Sequence, residues 1–299
     1  MKPKIILTIL LSGLLLTSAG QNFNQQFNSL FDKKDVAGQE KLLAQWNSTN
    51  PNDPELYVAY YNFYVRQSMK EVVGLENQPK GGHSLEMKDS TGKVAGYMND
   101  LIEYDTSYLN KGFEYIDKGI KMFPNRLDMR FGKIYMLGQI MNFEAFTNEI
   151  LKTIDYSKSN ANAWLWTDNK PQDDAKLFML SAIHEYVLQL YNTEDDKLLD
   201  NMKRICETVL KYYPDHVESL SDLSIVYLIN KDYDRALEVL LKAEKFAPTD
   251  FIVLNNIALA YMRKDDKVNA LKYYRKVLKY GDTDAQATAK EQIDKLKQK

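Results

Sequence analysis

The sequence predicts an all-α chain whose helix pairs stack into an α-solenoid, interrupted by one small β-hairpin or loop insertion. Three observations lead to that class. Pro214 and Pro248 stand 34 residues apart, and the segments following them align without a gap. Only 8 Pro and 13 Gly among 299 residues, set against 20 Tyr, favour long packed helices over a turn-rich β protein. Hydrophobic residues at 44% and charged residues at 27% supply an ordinary core and exclude wholesale disorder.

The same composition excludes several functions. With 39 Lys+Arg against 41 Asp+Glu, there is no bulk electrostatic drive toward nucleic acid or anionic membrane. One cysteine, Cys206, permits neither an intrachain disulfide nor a multi-cysteine zinc site. His83, His184 and His216 lie far apart, which argues against a His-rich metal centre, and no cofactor is expected.

Residues 1–20 read as a secretory signal peptide. Lys2 and Lys4 precede an apolar run from Ile5 to Leu16, and small residues lead to a cleavage point near Gly20. The run is shorter than the roughly 20 residues a spanning helix needs. No cysteine stands at the cleavage point to carry a lipid. The expectation is an exported, periplasmic or secreted protein of bacterial type that is not inserted in a membrane after cleavage.

Residues 21–68 read as N-terminal helices forming a degenerate repeat. Leu42, Leu43 and Trp46 lie on a half-repeat ending at Pro51, and Tyr57, Tyr60, Tyr61 and Tyr64 keep helical spacing after it. Residues 69–103 then form an insertion of short apolar-alternating runs between Gly, Pro and Asp clusters, the mark of a hairpin or ordered loop. About 39 residues are added to that turn.

Residues 104–282 carry the repeat array. After Pro214 come Leu220, Leu223, Ser224 and Tyr227, then Ala236 and Leu240; after Pro248 come Leu254, Ile257, Ala258 and Tyr261, then Ala270 and Tyr274. Large and small residues at this spacing form the facing stripes of two helices, the small ones permitting close approach. Upstream, Gly112, Ile116 and Gly119 end at Pro124, Phe131, Gly132 and Tyr135 open the next pair, and Leu177, Leu180, Ser181 and His184 open a longer one. Residues 283–299 read as a C-terminal capping helix over the last apolar face. About five helix pairs, a leading helix and the cap are expected.

This pattern resembles the tetratricopeptide repeat family, whose W-x2-L-G-x2-Y…A-x3-F…P spacing these residues reproduce. The bulky Tyr61 departs from it where the family has a small residue. The resemblance implies a non-enzymatic scaffold that binds a segment of another protein along the concave face of the array. The implied contact positions are Ile225, Asn255, Asn256, Leu259, Arg263 and, on the cap, Lys290. Some family members clamp a C-terminal carboxylate; Asn256 and Lys290 fit two of those places, whereas Ser221 and Ile225 do not.

No arrangement qualifies as catalytic. Asp89-Ser90-Thr91-Gly92-Lys93 superficially resembles a phosphate loop, but the G-x-x-x-x-G-K-[ST] spacing fails. His184 occupies a packing position, and Cys206 reads as a buried, inert thiol. The alternative function is binding of a glycan or small ligand, with Trp164 and Trp166 in a polar loop stacking on a sugar and His83 presented by the 69–103 insertion. The competing reading of that loop tucks both rings between neighbouring helices.

Overall fold

The computed structural model describes residues 12–80 and 83–298, with side chains in the first helix described from residue 22 onward. The signal-peptide reading of residues 1–20 falls outside the described residues up to residue 11, and on undescribed side chains beyond it. Among the described residues the order is α1 (Ser12–Asp32), α2 (Val36–Thr49), α3 (Pro54–Ser68), β1 (Met69–Glu76), β2 (Ser84–Lys88), β3 (Val94–Tyr104), α4 (Thr106–Met122), α5 (Leu127–Gln139), α6 (Phe143–Ser159), α7 (Ala175–Tyr191), α8 (Leu199–Tyr212), α9 (Val217–Ile229), α10 (Tyr233–Phe246), α11 (Phe251–Arg263), α12 (Lys267–Tyr280) and α13 (Thr283–Gln298). The chain is mainly helical, a helical-repeat architecture with one small sheet inserted.

Two compact units divide within α5: one holds residues up to Lys133 plus Trp164–Pro171, the other Ile134–Ala163 and Gln172–Lys299.

In the first unit, Phe27, Leu42, Leu43, Trp46, Leu56, Ala59 and Phe63 form a buried cluster. Asp53 organises the entry to α3: Oδ1 accepts the Glu55 N–H at 3.0 Å, Oδ2 accepts the Trp46 indole N–H at 3.1 Å, and Pro54 stands at the first helical turn. α3 packs directly on α4, the helix that follows the inserted sheet in the chain. The close approach requires Gly119, because a Cβ there would sit 2.9 Å from the Tyr57 Cβ. Tyr61, too bulky for its repeat position, is accommodated by glycine. Its ring lies beside Gly112 and Gly132, and its hydroxyl donates to the Gly132 carbonyl at 2.8 Å. The small residue has moved to the partner side of the contact.

The insertion is a three-stranded antiparallel sheet rather than the expected hairpin or loop, in the order β1-β3-β2. The 11-residue β3 pairs along both edges, which lets the short β2 add a third strand. Asn99, fully buried on β3, pins the β1–β2 connection by donating to the Gln78 carbonyl and accepting from the Lys80 N–H and Ser84 hydroxyl. The stretch resembling a phosphate loop is the β2–β3 turn. Asp89 accepts from the Thr91 and Lys93 amides and the Thr91 hydroxyl, and the Thr91 bonds hold its carboxyl below the usual range.

In the second unit, α9 packs on α10, α10 on α11, α11 on α12, and α13 covers α12. Ser224, Ala236, Ala258 and Ala270 are fully buried, as the holes at helix crossings must be. Leu240, Leu254, Ile257, Tyr274 and Val277 fill around them, and Ala289 and Ile293 of α13 close the end. The inter-helix turns repeat as well. Lys231 and Asp265, one repeat apart, both adopt φ 59°, and the following Asp232 and Asp266 cap α10 and α12. Ala236→Leu overpacks the crossing and is expected to cost about 1–3 kcal/mol, read as a lower far-ultraviolet melting temperature. An unchanged melt would deny that the site is filled.

Candidate partner-binding face

In the second unit the first helices of successive pairs, α7, α9 and α11, touch one another along one face. Their side chains there are not purely apolar. His184 on α7 meets Asp222 on α9, with Nδ1 and Oδ2 2.8 Å apart. Asn256 on α11 donates its amide N–H to the Ser221 hydroxyl at 3.5 Å. Asp222 and Ser221 are buried, at 3% and 8% exposure, so these bridges order the polar row before any partner arrives. Ile225 on α9 and Asn255, Asn256 and Leu259 on α11 are half-buried, leaving partial apolar and amide surface. Arg263, at the end of α11, and Lys290, on α13, are exposed. The residues implied by the resemblance therefore lie on accessible or partly accessible positions of α9, α11 and α13. The His184–Asp222 pair escaped sequence reading, since one histidine at a packing position does not name its acid.

The hydrogen bond to Asp222 raises the His184 pKa, with burial opposing it and Glu185 and Glu218 adding to it. Burial pushes the Asp222 carboxyl up while the His184 bond opposes. A histidine raised in the folded state contributes stability that is complete below its ordinary value of 6.5 and is lost as pH rises through the folded value. The Tm advantage of wild type over His184→Gln is therefore expected to be largest near about pH 6 and to shrink toward about pH 9. A difference flat with pH would show that His184 packs here as a neutral ring.

Seven cations crowd the end of α11 and the length of α12, namely Arg263, Lys264, Lys267, Lys272, Arg275, Lys276 and Lys279, and two of them are paired with acids. Lys264 pairs with Asp234, and Lys276 sits 2.5 Å from Glu244. Cys206 is fully buried, and burial pushes its thiol well above the ordinary value. Among the described residues no group of three or more His, Cys, Asp or Glu could hold a metal.

The tryptophan loop requires a correction. Trp164 is only 1% exposed, with the Arg130 guanidinium 5.7 Å from its ring centre, so it offers no open face for a sugar. The loop is held by the backbone: Leu165 donates to the Asn125 carbonyl, Leu127 to the Leu165 carbonyl, and Trp166 to the Lys170 carbonyl. Trp166 is half-buried, edge-on to Phe131. His83 is exposed and lines two shallow depressions on the inserted sheet, neither of which includes Trp164 or Trp166.

Sequence reasoning also missed a buried charge network. Arg126, 1% exposed, places Nη1 2.7 Å from Glu55 Oε1 and its Nε and Nη2 2.8 and 2.7 Å from the two Asp128 oxygens. Nη1 also donates to the Asn169 side chain, and Glu55 accepts the Asp168 N–H at 2.8 Å. These partners come from three distant segments, and only the adjacent Arg126-x-Asp128 spacing is visible in the sequence.

Helix pairs crossing at small residues, Asp-capped turns in register and a closing cap define a helical-repeat protein. Residues 252–280, spanning α11 and α12, match the tetratricopeptide repeat family. No curated protein matches it in sequence. Similar solved structures include YrrB, described as a tetratricopeptide-repeat protein with an unusual peptide-binding site, at 13% identity over 83% of this chain and 97% of that one, TM-score 0.42. Another is the type IV pilus biogenesis factor PilW, at 8% identity over 90% of this chain and 98% of that one, TM-score 0.39. A third is a tetratricopeptide-repeat protein of Parabacteroides merdae, at 11% identity over 92% and 86%, TM-score 0.38. None of these superpositions is close enough to bear on function. The family is in general a non-enzymatic module for binding other proteins.

Proposed function

We propose that this chain is an exported, non-enzymatic scaffold that receives a segment of another protein along the α7, α9 and α11 face. One observation carries the reading: the bridges His184–Asp222 and Asn256–Ser221 tie three successive first helices into one ordered polar row beside Ile225 and Leu259. Such a row offers amide and imidazole groups to a peptide backbone, and half-buried apolar groups to its side chains. Binding energy comes from completing the burial of Ile225 and Leu259, with Asn255, Asn256 and Arg263 supplying hydrogen bonds. Because the row is ordered beforehand, the partner bears most of the entropy cost of docking.

Export, which rests on the N-terminal apolar run, has its own test: cell fractionation with and without residues 1–20. No described helix is long and apolar enough to cross a membrane. The binding test is affinity capture from the native envelope extract with wild type and with an Asn256→Ala, Leu259→Ala double variant. A protein recovered reproducibly by wild type and lost, at least tenfold (about 1.4 kcal/mol), from the variant is expected. Equal recovery by both chains, or recovery of polysaccharide alone, would overturn the reading.

A further inference from the structure

The inserted sheet has one face dressed by its own residues and one left bare. Register places Glu71, Val73 and Leu75 of β1, Met98, Asp100 and Ile102 of β3, and Leu85 of β2 on the same face, since directly paired residues share a side. Opposite it, Asn99 is buried beneath the β1–β2 connection that it holds. On the bare face Val73, Leu75 and Leu85 are 63%, 67% and 67% exposed, and Ile102 and Met98 are 49% and 38% exposed. That is an unusual concentration of apolar surface on a solvated sheet.

The face is also organised. Two depressions lie on it, one lined by Val73, Ile102 and Glu71, the other by Leu85 and Met98, and both share Asp100 and His83. Its fixed charges, Glu71 and Asp100, are both acidic. From this geometry we propose that the bare sheet face is a second docking surface. It takes a segment of another protein that presents a Lys or Arg between two apolar side chains, the cation over Asp100 and one apolar group in each depression. An extended segment has the required reach, because alternate residues on a strand recur about every 7 Å on one face.

Charge decides among the possible occupants. A second copy packed face to face would set Asp100 near its own counterpart, a like-charge contact that disfavours association. An anionic lipid surface is repelled by Glu71 and Asp100 for the same reason. A cationic apolar segment complements both features.

The probe is a labelled peptide of three Leu-Thr-Lys-Ser copies, which alternates Leu and Lys on one side of an extended chain. Its counterpart carries Glu in place of Lys. The full chain is titrated with each by fluorescence anisotropy. The lysine peptide is expected to bind wild type and to weaken by about tenfold or more with Glu71→Lys plus Asp100→Lys, while the glutamate peptide gains affinity for that variant. Val73→Ser plus Leu85→Ser, one residue from each depression, is expected to abolish binding with an unchanged melt, because both side chains are exposed. Asn256→Ala is expected to leave binding intact, which separates this surface from the helical face.

Several outcomes would overturn the proposal: no binding of the lysine peptide, equal binding of the two peptides, or loss of binding with Asn256→Ala. So would a dimer in sedimentation velocity that Leu75→Ser dissociates, or binding to phosphatidylglycerol vesicles without binding to the peptide.

Discussion

Arg126→Met is expected to destabilise the first unit by about 3–5 kcal/mol. The guanidinium is buried between Glu55 and Asp128, and its removal leaves two nearly buried carboxylates facing each other without a cation. The cost arises from those stranded charges more than from the attraction lost, because a buried ion pair spends much of its Coulomb energy on desolvation. The Asp168 turn is affected too, since the Glu55 oxygen that meets Arg126 also accepts the Asp168 N–H. All three tryptophans lie in the first unit, so urea unfolding followed by tryptophan fluorescence reports on it selectively. Adding Glu55→Gln should recover part of the loss, because the amide removes one charge while retaining the acceptor for Asp168. A loss well under about 1 kcal/mol would show that both acids reach water.

Trp164→Ala is expected to cost a similar amount, about 3–5 kcal/mol. A 1% exposed indole leaves a large cavity and releases Arg130, whose guanidinium lies over the ring and also donates to the Pro124 carbonyl. Trp166→Ala should cost less, because that ring is already half in water. The remaining tryptophans still report unfolding in each single variant. This pair decides the role of the loop. If Trp164→Ala left stability intact while abolishing binding of a soluble glycan, the ring would be a ligand platform after all.

Much of the second unit was legible in the sequence because its signal is local and periodic. Ala236, Ala258 and Ala270 stand where helices must nearly touch, and a small residue recurring at a fixed offset marks a repeated helix crossing. The turns were legible for the same reason, since Asp232 and Asp266 cap the helices they immediately precede. Tyr61 was opaque. Its bulk contradicted the pattern until Gly112 and Gly132 were seen beside its ring, and that compensation links residues far apart in the chain. The insertion was legible as a hairpin or ordered loop but not as a three-stranded sheet, because whether five residues form a further strand depends on the free edge of β3.

The candidate sites divide along the same line. Asn256 and Leu259 were placed on a presented helix face by the family resemblance. That Asn256 reaches Ser221, and that His184 is held by Asp222, required the stacking of one repeat on the next. Trp164 shows the limit most plainly: two tryptophans among polar residues admit both a binding platform and a plug, and burial decides for the plug.

By itself, then, the sequence determined the repeat period, the helix pairs that follow from it and the residues that let them approach. These depend on side-chain size and on dihedral preferences within a few dozen residues. Only the tertiary structure decided which polar groups are buried together, which aromatic rings are covered and which face of the inserted sheet stays bare. Those outcomes depend on contacts between distant segments, where burial alone turns an arginine into the centre of a network or an indole into core.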